Sequence, residues 1–229
     1  MEMRKVLAQT LDDLMAKNEN IVLIDADLSK PNGLSGLKDK YPKRAMDIGI
    51  AEQNMACIAA GMSSYGFVPF ISTFTAFASR RICDQIAISC AYAKQNVKII
   101  ATDPGISAEY NGGTHMSFED VGVLRSIPEI VIVEPTDCIQ LKKLLPQIAN
   151  HYGVVYIRTL RKEATDVFSE NDNFDLFKSA KLQDGKDVSI FCSGLMVQET
   201  LMANKTLKEH GINADIINCL LYTSDAADE

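Results

Sequence analysis

A glutamate at position 52 opens a segment that is otherwise rich in alanine, methionine, cysteine and isoleucine. A carboxyl group in such surroundings is poorly hydrated, and burial favours its neutral form. A carboxyl group that shares a proton in a dry site can act as a general acid or base. A glutamate at the amino end of a helix is also stabilised by the helix dipole alone. Glu52 is therefore a candidate catalytic acid with a structural alternative.

Two phenylalanines follow the dipeptide Ser72-Thr73, and they stand three residues apart at Phe74 and Phe77. At helical spacing both rings project from one face of a helix. Two rings on one face can hold a flat ligand by stacking, although such a pair is more often part of an ordinary core.

A glycine-rich loop from Thr102 to His115 follows a predicted strand and contains Asp103, Asn111 and His115. The pair Gly112-Gly113 permits close approach of the backbone to a ligand. A single histidine is usually structural, but this context favours a binding role for His115.

Arginine is suited to phosphate groups because its forked donors bind two oxygen atoms at once. Arg4 and Arg161 are candidates for this role, and Arg158 is a neighbouring alternative. Asp27, just after an apolar run, can cap the turn that follows the strand.

These residues require elements that bring them together. Hydrophobic periodicity predicts helices at residues 3–17, about 50–64, 75–93 and 137–149, alternating with strands at 21–25, 67–71, 97–101, 130–133 and 154–157. Nearly continuous apolar strands separated by helices indicate an α/β fold with a parallel sheet covered by helices on both faces. Ligands of such folds bind beyond the carboxyl ends of the strands.

A second unit is predicted beyond a polar linker at residues 162–186. A strand at 188–192, a helix ending near His210 and a strand at 214–217 form one strand-helix-strand unit. Such a unit leaves open sheet edges, so we expect the truncated start of a second α/β domain over residues 187–218. One nucleotide sequence that could encode residues 219–229 resembles a transposon-end adaptor from sequencing libraries. We therefore expect this tail to be non-native.

Composition excludes several classes of protein. The net charge of −7 and the absence of a Lys/Arg cluster argue against nucleic acid as a partner. No apolar run reaches the roughly 20 residues of a membrane span, and the amino terminus lacks a secretory h-region. Six cysteines without a C-x-x-C pair indicate reduced thiols and a cytoplasmic protein with neither disulfides nor zinc.

The motifs Glu52-Gln-Asn-Met, Ala59-Ala-Gly, Ser72-Thr-Phe-Thr-Ala-Phe and Asp84-Gln-Ile together resemble the pyrimidine-binding domain of transketolases, over residues 1–161. The resemblance implies thiamine diphosphate as cofactor. It assigns Glu52 to the ring nitrogen that activates the cofactor, Phe74 and Phe77 to stacking on the aminopyrimidine, and Asp27 to a position beside the cofactor. The third aromatic residue of the family pattern is replaced by Arg80.

The resemblance also implies substrate contacts. It assigns His115 to the hydroxyl groups of the sugar, and Arg161 and Arg4 to its phosphate. Transketolases of ordinary sugar phosphates usually have histidine in place of Asp103 and aspartate in place of Asn111. Both differences change groups that hydrogen-bond the substrate, so we expect an unusual ketose or a modified sugar as donor.

The family holds the cofactor diphosphate through Mg²⁺ with a Gly-Asp-Gly motif, which this chain lacks. The resemblance therefore implies a split transketolase, in which a separate N-terminal subunit holds the diphosphate and Mg²⁺, in a heterotetramer. The reaction would transfer a glycolaldehyde unit from a ketose phosphate to an aldose through a thiamine diphosphate adduct.

Three alternatives remain from the sequence. The beta subunit of a 2-oxo-acid dehydrogenase has the same domain order, and deoxyxylulose-phosphate synthase shares the domain type. Phe77, His115 and Arg161 favour sugar-phosphate chemistry over the first of these. A non-catalytic assembly subunit is a third alternative, although a scaffold does not need a poorly hydrated carboxyl group at Glu52.

Overall fold

The structure, a computed structural model, describes residues 1–222. The first unit contains helices α1 (Met3–Lys17), α2 (Ser35–Lys40), α3 (Glu52–Ser64), α4 (Thr75–Ala78), α5 (Asp120–Leu124) and α6 (Cys138–Asn150), a π-helix (Gln85–Tyr92), a 3-10 helix (Ile106–Asn111), and strands β1 (Ile21–Asp25), β2 (Ala45–Asp47), β3 (Val68–Phe74), β4 (Lys98–Thr102), β5 (Val131–Val133) and β6 (Val155–Thr159). The second unit contains β7 (Ala180–Gln183), β8 (Val188–Cys192), α7 (Met196–Glu209) and β9 (Ala214–Asn218), and β10 (Leu221–Tyr222) follows it.

The large sheet has the strand order β10-β5-β6-β4-β3-β1-β2. All of its pairings are parallel except that of β10 with β5. The strands β1, β4 and β5 are buried along their whole length, because helices cover both faces of the sheet. The predicted α/β architecture with a parallel sheet is confirmed.

Each face of the sheet has its own hydrophobic core. On one face α1 packs against α6 through side chains such as Leu7, Leu11 and Leu144. On the other face α3 packs against the π-helix through side chains such as Met55 and Ile86. The small residues Ala56 and Ala59 of α3 are fully buried. The core therefore fixes the amino end of α3, where Glu52 lies.

The helix predicted at residues 75–93 is interrupted in the structure. The helix α4 ends at Ala78, and Ser79 has non-helical backbone angles. The hydroxyl group of Ser79 donates a hydrogen bond to the carbonyl oxygen of Thr75 at 2.6 Å, and such local bonds compete with the helical pattern. The interruption places Arg80 and Arg81 in a turn rather than on a helix face.

The second unit is a three-stranded sheet of order β7-β9-β8 with α7 packed against it. Its strand β7 lies within the segment predicted as a linker, where Ala180 and Lys181 pair with the end of β9. Short polar strands such as this one give little periodic signal. Residues 219–222 of the predicted non-native tail are described, and Leu221 pairs with Val133. Residues 223–229 lie outside the described residues.

Within residues 1–222 no helix is both long enough and apolar enough to cross a membrane. The six cysteines, all of them in this range, are free thiols.

A buried lysine holds together the edge of the sheet opposite the candidate site. The ammonium group of Lys98, the first residue of β4, donates to Asn96 Oδ1 at 2.6 Å, to His151 O at 2.5 Å and to Gly153 O at 2.9 Å. Burial lowers the pKa of Lys98 to about 7. Three oxygen acceptors match the three N–H donors of the ammonium group, so the contacts satisfy it completely.

We expect K98M to lower the free energy of unfolding by about 3 kcal/mol, because it leaves three oxygen acceptors without their donor. Urea unfolding at pH 7 measures the change. The matched control is K40M, since Lys40 is 54% exposed and pairs with Asp12 at the surface. Exposed pairs contribute about 0–1 kcal/mol. Equal losses in K98M and K40M would contradict this account.

Candidate cofactor and substrate site

The carboxyl ends of the central strands place polar and aromatic side chains at one edge of the large sheet. The strands β1, β3, β4 and β6 end at Asp25, Phe74, Thr102 and Thr159. The register pairs Asp25 with Ser72, Phe74 with Thr102, and Thr102 with Thr159. Residues that follow these positions in the sequence therefore meet in space, although they lie far apart along the chain.

Glu52 is the first residue of α3 and is 4% exposed. Arg81 donates a hydrogen bond to Glu52 Oε1 at 2.7 Å. The guanidinium carbon of Arg81 lies 4.0 Å from the centroid of the Phe77 ring. The buried carboxylate is therefore paired with a flat cation that also lies against an aromatic ring.

Phe74 and Phe77 lie close together, as the sequence predicts. Their ring centroids are 6.1 Å apart and the ring planes differ by 25°. His115 contacts both rings edge-on, at centroid distances of 5.9 Å from Phe74 and 5.2 Å from Phe77. Its Nδ1 atom lies 2.8 Å from the hydroxyl oxygen of Thr114. The histidine thus lies beside the aromatic pair, with Nε2 as its second polar atom.

Arg161 also lies against Phe74, with its guanidinium carbon 4.7 Å from the ring centroid. It forms a salt bridge with the fully buried Asp103 and donates from Nε to Asp103 Oδ2 at 2.5 Å. Asp103 has a φ of 58°, a left-handed conformation that aspartate tolerates better than most residues. Within residues 1–222, the second oxygen of Asp103, Oδ1, is buried without a hydrogen-bond partner.

These contacts form one continuous series, which we call the contact row: Glu52, Arg81, Phe77, Phe74, Arg161 and Asp103. The structure thus brings together five of the predicted site residues, namely the row members other than Arg81, with His115 beside the aromatic pair. Arg4 lies next to the end of the row, since its backbone N–H donates to the carbonyl oxygen of Arg161 at 3.4 Å.

Among the described residues, no hydrogen bond, ion pair or ring contact joins the side chain of Asn111 or Asp27 to the row. Asn111 is exposed at the end of the 3-10 helix. Asp27 is exposed and has a φ of 61°, and its backbone N–H donates to Asp47 Oδ1. The side chain of Arg158, the neighbouring candidate, instead forms salt bridges with Asp120 and Glu134.

The two adjacent arginines Arg80 and Arg81 have roles that the sequence did not reveal. Arg80 donates to Glu119 Oε1 at 2.8 Å and to the carbonyl oxygen of Thr114 at 3.0 Å, so it fixes the loop that bears His115. Arg81 is the partner of Glu52. In the sequence, the arginine pair that closely follows the Phe74-Phe77 motif is the feature that could have indicated these roles. The two side chains reach different partners because the helix is interrupted at Ser79.

Asp25 is a further buried acid near the site, 1% exposed at the end of β1. Its Oδ1 accepts a hydrogen bond from Leu28 N at 2.6 Å, while Oδ2 is buried without a partner in the described chain. Burial, together with the negative charge of Asp47, raises the pKa of Asp25 to about 6. The charged form of Asp25 therefore lowers the stability of the fold above pH 6.

No group of three or more His, Cys, Asp or Glu side chains in the described part of the chain is arranged to hold a metal ion.

Two family models match the chain. The model "Transketolase, pyrimidine binding domain" matches residues 1–166, and the model "Transketolase, C-terminal domain" matches residues 178–223.

Two curated relatives are named as transketolase subunits. The chain is 47% identical, over 94% of its length, to a 6-deoxy-6-sulfo-D-fructose transketolase subunit of a Clostridium species, of which it covers 67%. It is 33% identical, over 94% of its length, to one subunit of the apulose-4-phosphate transketolase of Phocaeicola vulgatus, of which it covers 69%.

Among solved structures, a split-gene transketolase in an inactive beta4 tetramer superposes with a TM-score of 0.87 at 36% identity. The match covers 96% of this chain and 71% of the other.

We expect D25N to raise the free energy of unfolding at pH 8 by about 3 kcal/mol, given about 1.4 kcal/mol for each unit by which the pKa of Asp25 is raised. Between pH 4 and pH 6 the folded state binds more protons than the unfolded state, so wild-type stability falls as the pH rises through this range. The difference between D25N and wild type should therefore be small at pH 4. Urea unfolding at both pH values measures it.

The exposed Asp27 provides the matched control. We expect D27N to change stability by no more than about 0.5 kcal/mol at either pH. A gain in D25N that is the same at pH 4 and pH 8 would show that ionisation of Asp25 is not the cause.

Proposed function

The chain belongs to the transketolase family, and on this premise we propose that it completes, with a second subunit, the thiamine diphosphate site of a split transketolase. The observation that carries the proposal is the buried Glu52 beside the paired rings of Phe74 and Phe77. A scaffold subunit has no need of a buried carboxylate in that position, because burying such a group costs stability.

The site fits the aminopyrimidine part of the cofactor. That group is flat, has nitrogen atoms that can interact with a carboxyl group, and stacks on aromatic rings. The guanidinium group of Arg81 is a planar nitrogen-bearing group, and it already makes both kinds of contact, with Glu52 and with Phe77. The residues present can therefore hold the aminopyrimidine, with Glu52 as the proton-sharing partner of the ring.

Thiamine diphosphate, when bound, supplies a carbon nucleophile that carries the two-carbon unit between sugars. The residues of this chain have separate tasks around it. Glu52 holds a proton at the pyrimidine, Phe74 and Phe77 orient the ring, and Asp27 borders the cofactor from the end of β1. Burial of Glu52 keeps water from competing for its proton.

His115 is positioned to bind substrate hydroxyl groups. Thr114 lies at its Nδ1, so Nε2 is the atom that can meet a hydroxyl group. The contacts of the imidazole with both phenylalanine rings hold it beside the flat ligand, and Arg80 fixes the loop behind it. We assign Asn111, Asp103, Arg161 and Arg4 to the remainder of the substrate-binding surface.

The second subunit would bind Mg²⁺ and the diphosphate. The sequence has no Gly-Asp-Gly motif, and a diphosphate requires counter-charge from another source. We infer an N-terminal transketolase subunit as partner and a heterotetramer of two chains of each kind. The six free thiols are consistent with a reaction in the cytoplasm.

The proposed reaction is transfer of a glycolaldehyde unit from a ketose to an aldose acceptor. The names of two relatives point to different donors, one with a sulfonate and one with a phosphate. Replacement of the family's usual histidine and aspartate by Asp103 and Asn111 supports a donor other than the ordinary pentose phosphates.

We expect E52Q to assemble with the partner subunit and to lose at least about 100-fold in turnover, the usual contribution of a positioned acid or base. Glutamine keeps the size of the side chain but cannot share a proton. Co-expression with an N-terminal transketolase subunit, a pull-down for assembly and an assay with thiamine diphosphate and Mg²⁺ test this expectation.

The matched control is E19Q, because Glu19 is exposed before β1, at the opposite edge of the sheet. It should assemble and turn over like wild type. Full activity of E52Q in the assembled complex would refute the assignment of Glu52 and favour a scaffold role.

A further inference from the structure

The two ends of the contact row carry different groups. Glu52 lies at one end, beside the ring that would hold the cofactor, and Arg161 and Asp103 lie at the other end. His115 contacts the two rings between them. A sugar that reacts near the Glu52 end and places its hydroxyl groups at His115 would extend its far end toward Arg161. The far end of the substrate therefore meets the charges around Arg161 and its neighbour Arg4.

Each of these two arginines is already paired with a carboxylate. Arg161 forms a salt bridge with Asp103, which is fully buried and has one oxygen left without a hydrogen-bond partner in the described residues. Arg4 binds Glu2 through two hydrogen bonds, from Nε and Nη2, both at 3.1 Å. The third nitrogen of Arg4, Nη1, donates to the carbonyl oxygen of Pro31 at 3.1 Å.

The two ion pairs are neighbours. The backbone N–H groups of Met3 and Arg4 donate to the carbonyl oxygens of Lys162 and Arg161, at 3.0 and 3.4 Å. Lys5, which also contacts Glu2, and Lys162, which lies over the ring of Tyr110, are both exposed, so solvent and salt screen their charges more than they screen the charge of the buried Asp103. The net charge of the two arginines and their two carboxylates is zero.

We propose that this end of the site selects a donor whose terminal group carries a single negative charge, a sulfonate, over one that carries a phosphate dianion. The proposal rests on the proposed function and adds the substrate class. A phosphate monoester carries a charge of about −1.5 to −2 at pH 7, since its second pKa is about 6. A sulfonate has three acceptor oxygens in a similar shape but one charge only.

The buried charge of Asp103 is the origin of the selection. A second negative charge on the ligand meets repulsion from Asp103 in a partly buried site, where charges interact more strongly than in water. The guanidinium N–H groups that are not bound to carboxylates can still donate to a sulfonate. The hydrogen bonds are thus similar for both groups, and the charge distinguishes them.

The test uses the assembled two-subunit enzyme and three ketose donors. They are a 6-sulfo ketose, the matching 6-phospho ketose, and L-erythrulose, which has no terminal anion. We expect kcat/KM for the sulfonate to exceed that for the phosphate by at least about tenfold at pH 7.5. A preference for the phosphate would overturn the proposal.

L-Erythrulose separates the two proposals. Turnover of this neutral donor shows that the transketolase reaction occurs, whatever the terminal group. If L-erythrulose is used and the phosphate is preferred, only the inference about charge fails. If none of the three donors reacts, both the proposed function and this inference fail.

The variant D103N tests the cause. Asparagine tolerates the left-handed backbone of Asp103 and removes the charge, so the loop should keep its conformation. We expect D103N to lower the ratio of kcat/KM for sulfonate to that for phosphate by at least about tenfold. The second variant, E2Q, should shift the ratio in the same direction. The control D175N, at an exposed aspartate in the connection before β7, should not. An unchanged ratio in both D103N and E2Q would overturn the proposal.

A pH profile supplies a readout that a merely structural effect would not change. The phosphate donor becomes a monoanion as the pH falls below about 6, while the sulfonate keeps its single charge. The kcat/KM values for the sulfonate and for the phosphate are each divided by the value for L-erythrulose at the same pH. The wild-type preference for sulfonate, the ratio of the two, should therefore decrease between pH 7.5 and pH 5.5. A preference that is constant over this range would refute the role of ligand charge.

Discussion

The hydrogen bond from Arg81 to Glu52, made by a guanidinium group that also lies over the ring of Phe77, determines the character of the site. A carboxylate that is 4% exposed is costly to bury unless a charge compensates it, and the guanidinium group supplies that charge at 2.7 Å. The same cation covers an aromatic face that would otherwise meet water. In the chain by itself, the charge of Arg81 thus compensates that of Glu52. A flat cofactor that stacks on Phe77 and contacts Glu52 would replace both interactions of Arg81.

The parallel sheet is the reason that these groups meet. Every central strand ends at the same edge, and the residue that follows each strand lies beside the residue that follows its neighbour. Asn32 strengthens this edge, because its buried side chain donates to Ser72 on β3 and accepts from Thr102 on β4, both at 2.9 Å. The loop after β1 is thereby tied to the ends of two other strands, and the site rests on rigid elements rather than on loops alone.

Charge matching at this edge is the basis of the donor selection that we propose. The exposed arginines of the site, Arg80 and Arg81, have carboxylate partners, as do Arg4 and Arg161. In a site for a dianion, unpaired guanidinium groups would be expected, because a ligand with two charges requires more counter-charge than paired groups provide. In our proposal, the pairing of Arg161 with Asp103 is the feature that distinguishes this site from one suited to phosphate.

The sequence by itself determined the architecture and predicted most of the residues that meet at the candidate site. Apolar strands alternating with helices specify a parallel sheet because each buried strand needs cover on both faces, and the motif around Glu52, Phe74 and Phe77 carries a specific family resemblance. The tertiary structure alone decided which charges pair. The break at Ser79 sends Arg80 and Arg81 to different carboxylates, and Asp103 meets Arg161 only because β4 and β6 are neighbours in the sheet. Pairing between residues this far apart depends on strand order and loop geometry, which leave no periodic pattern in the sequence.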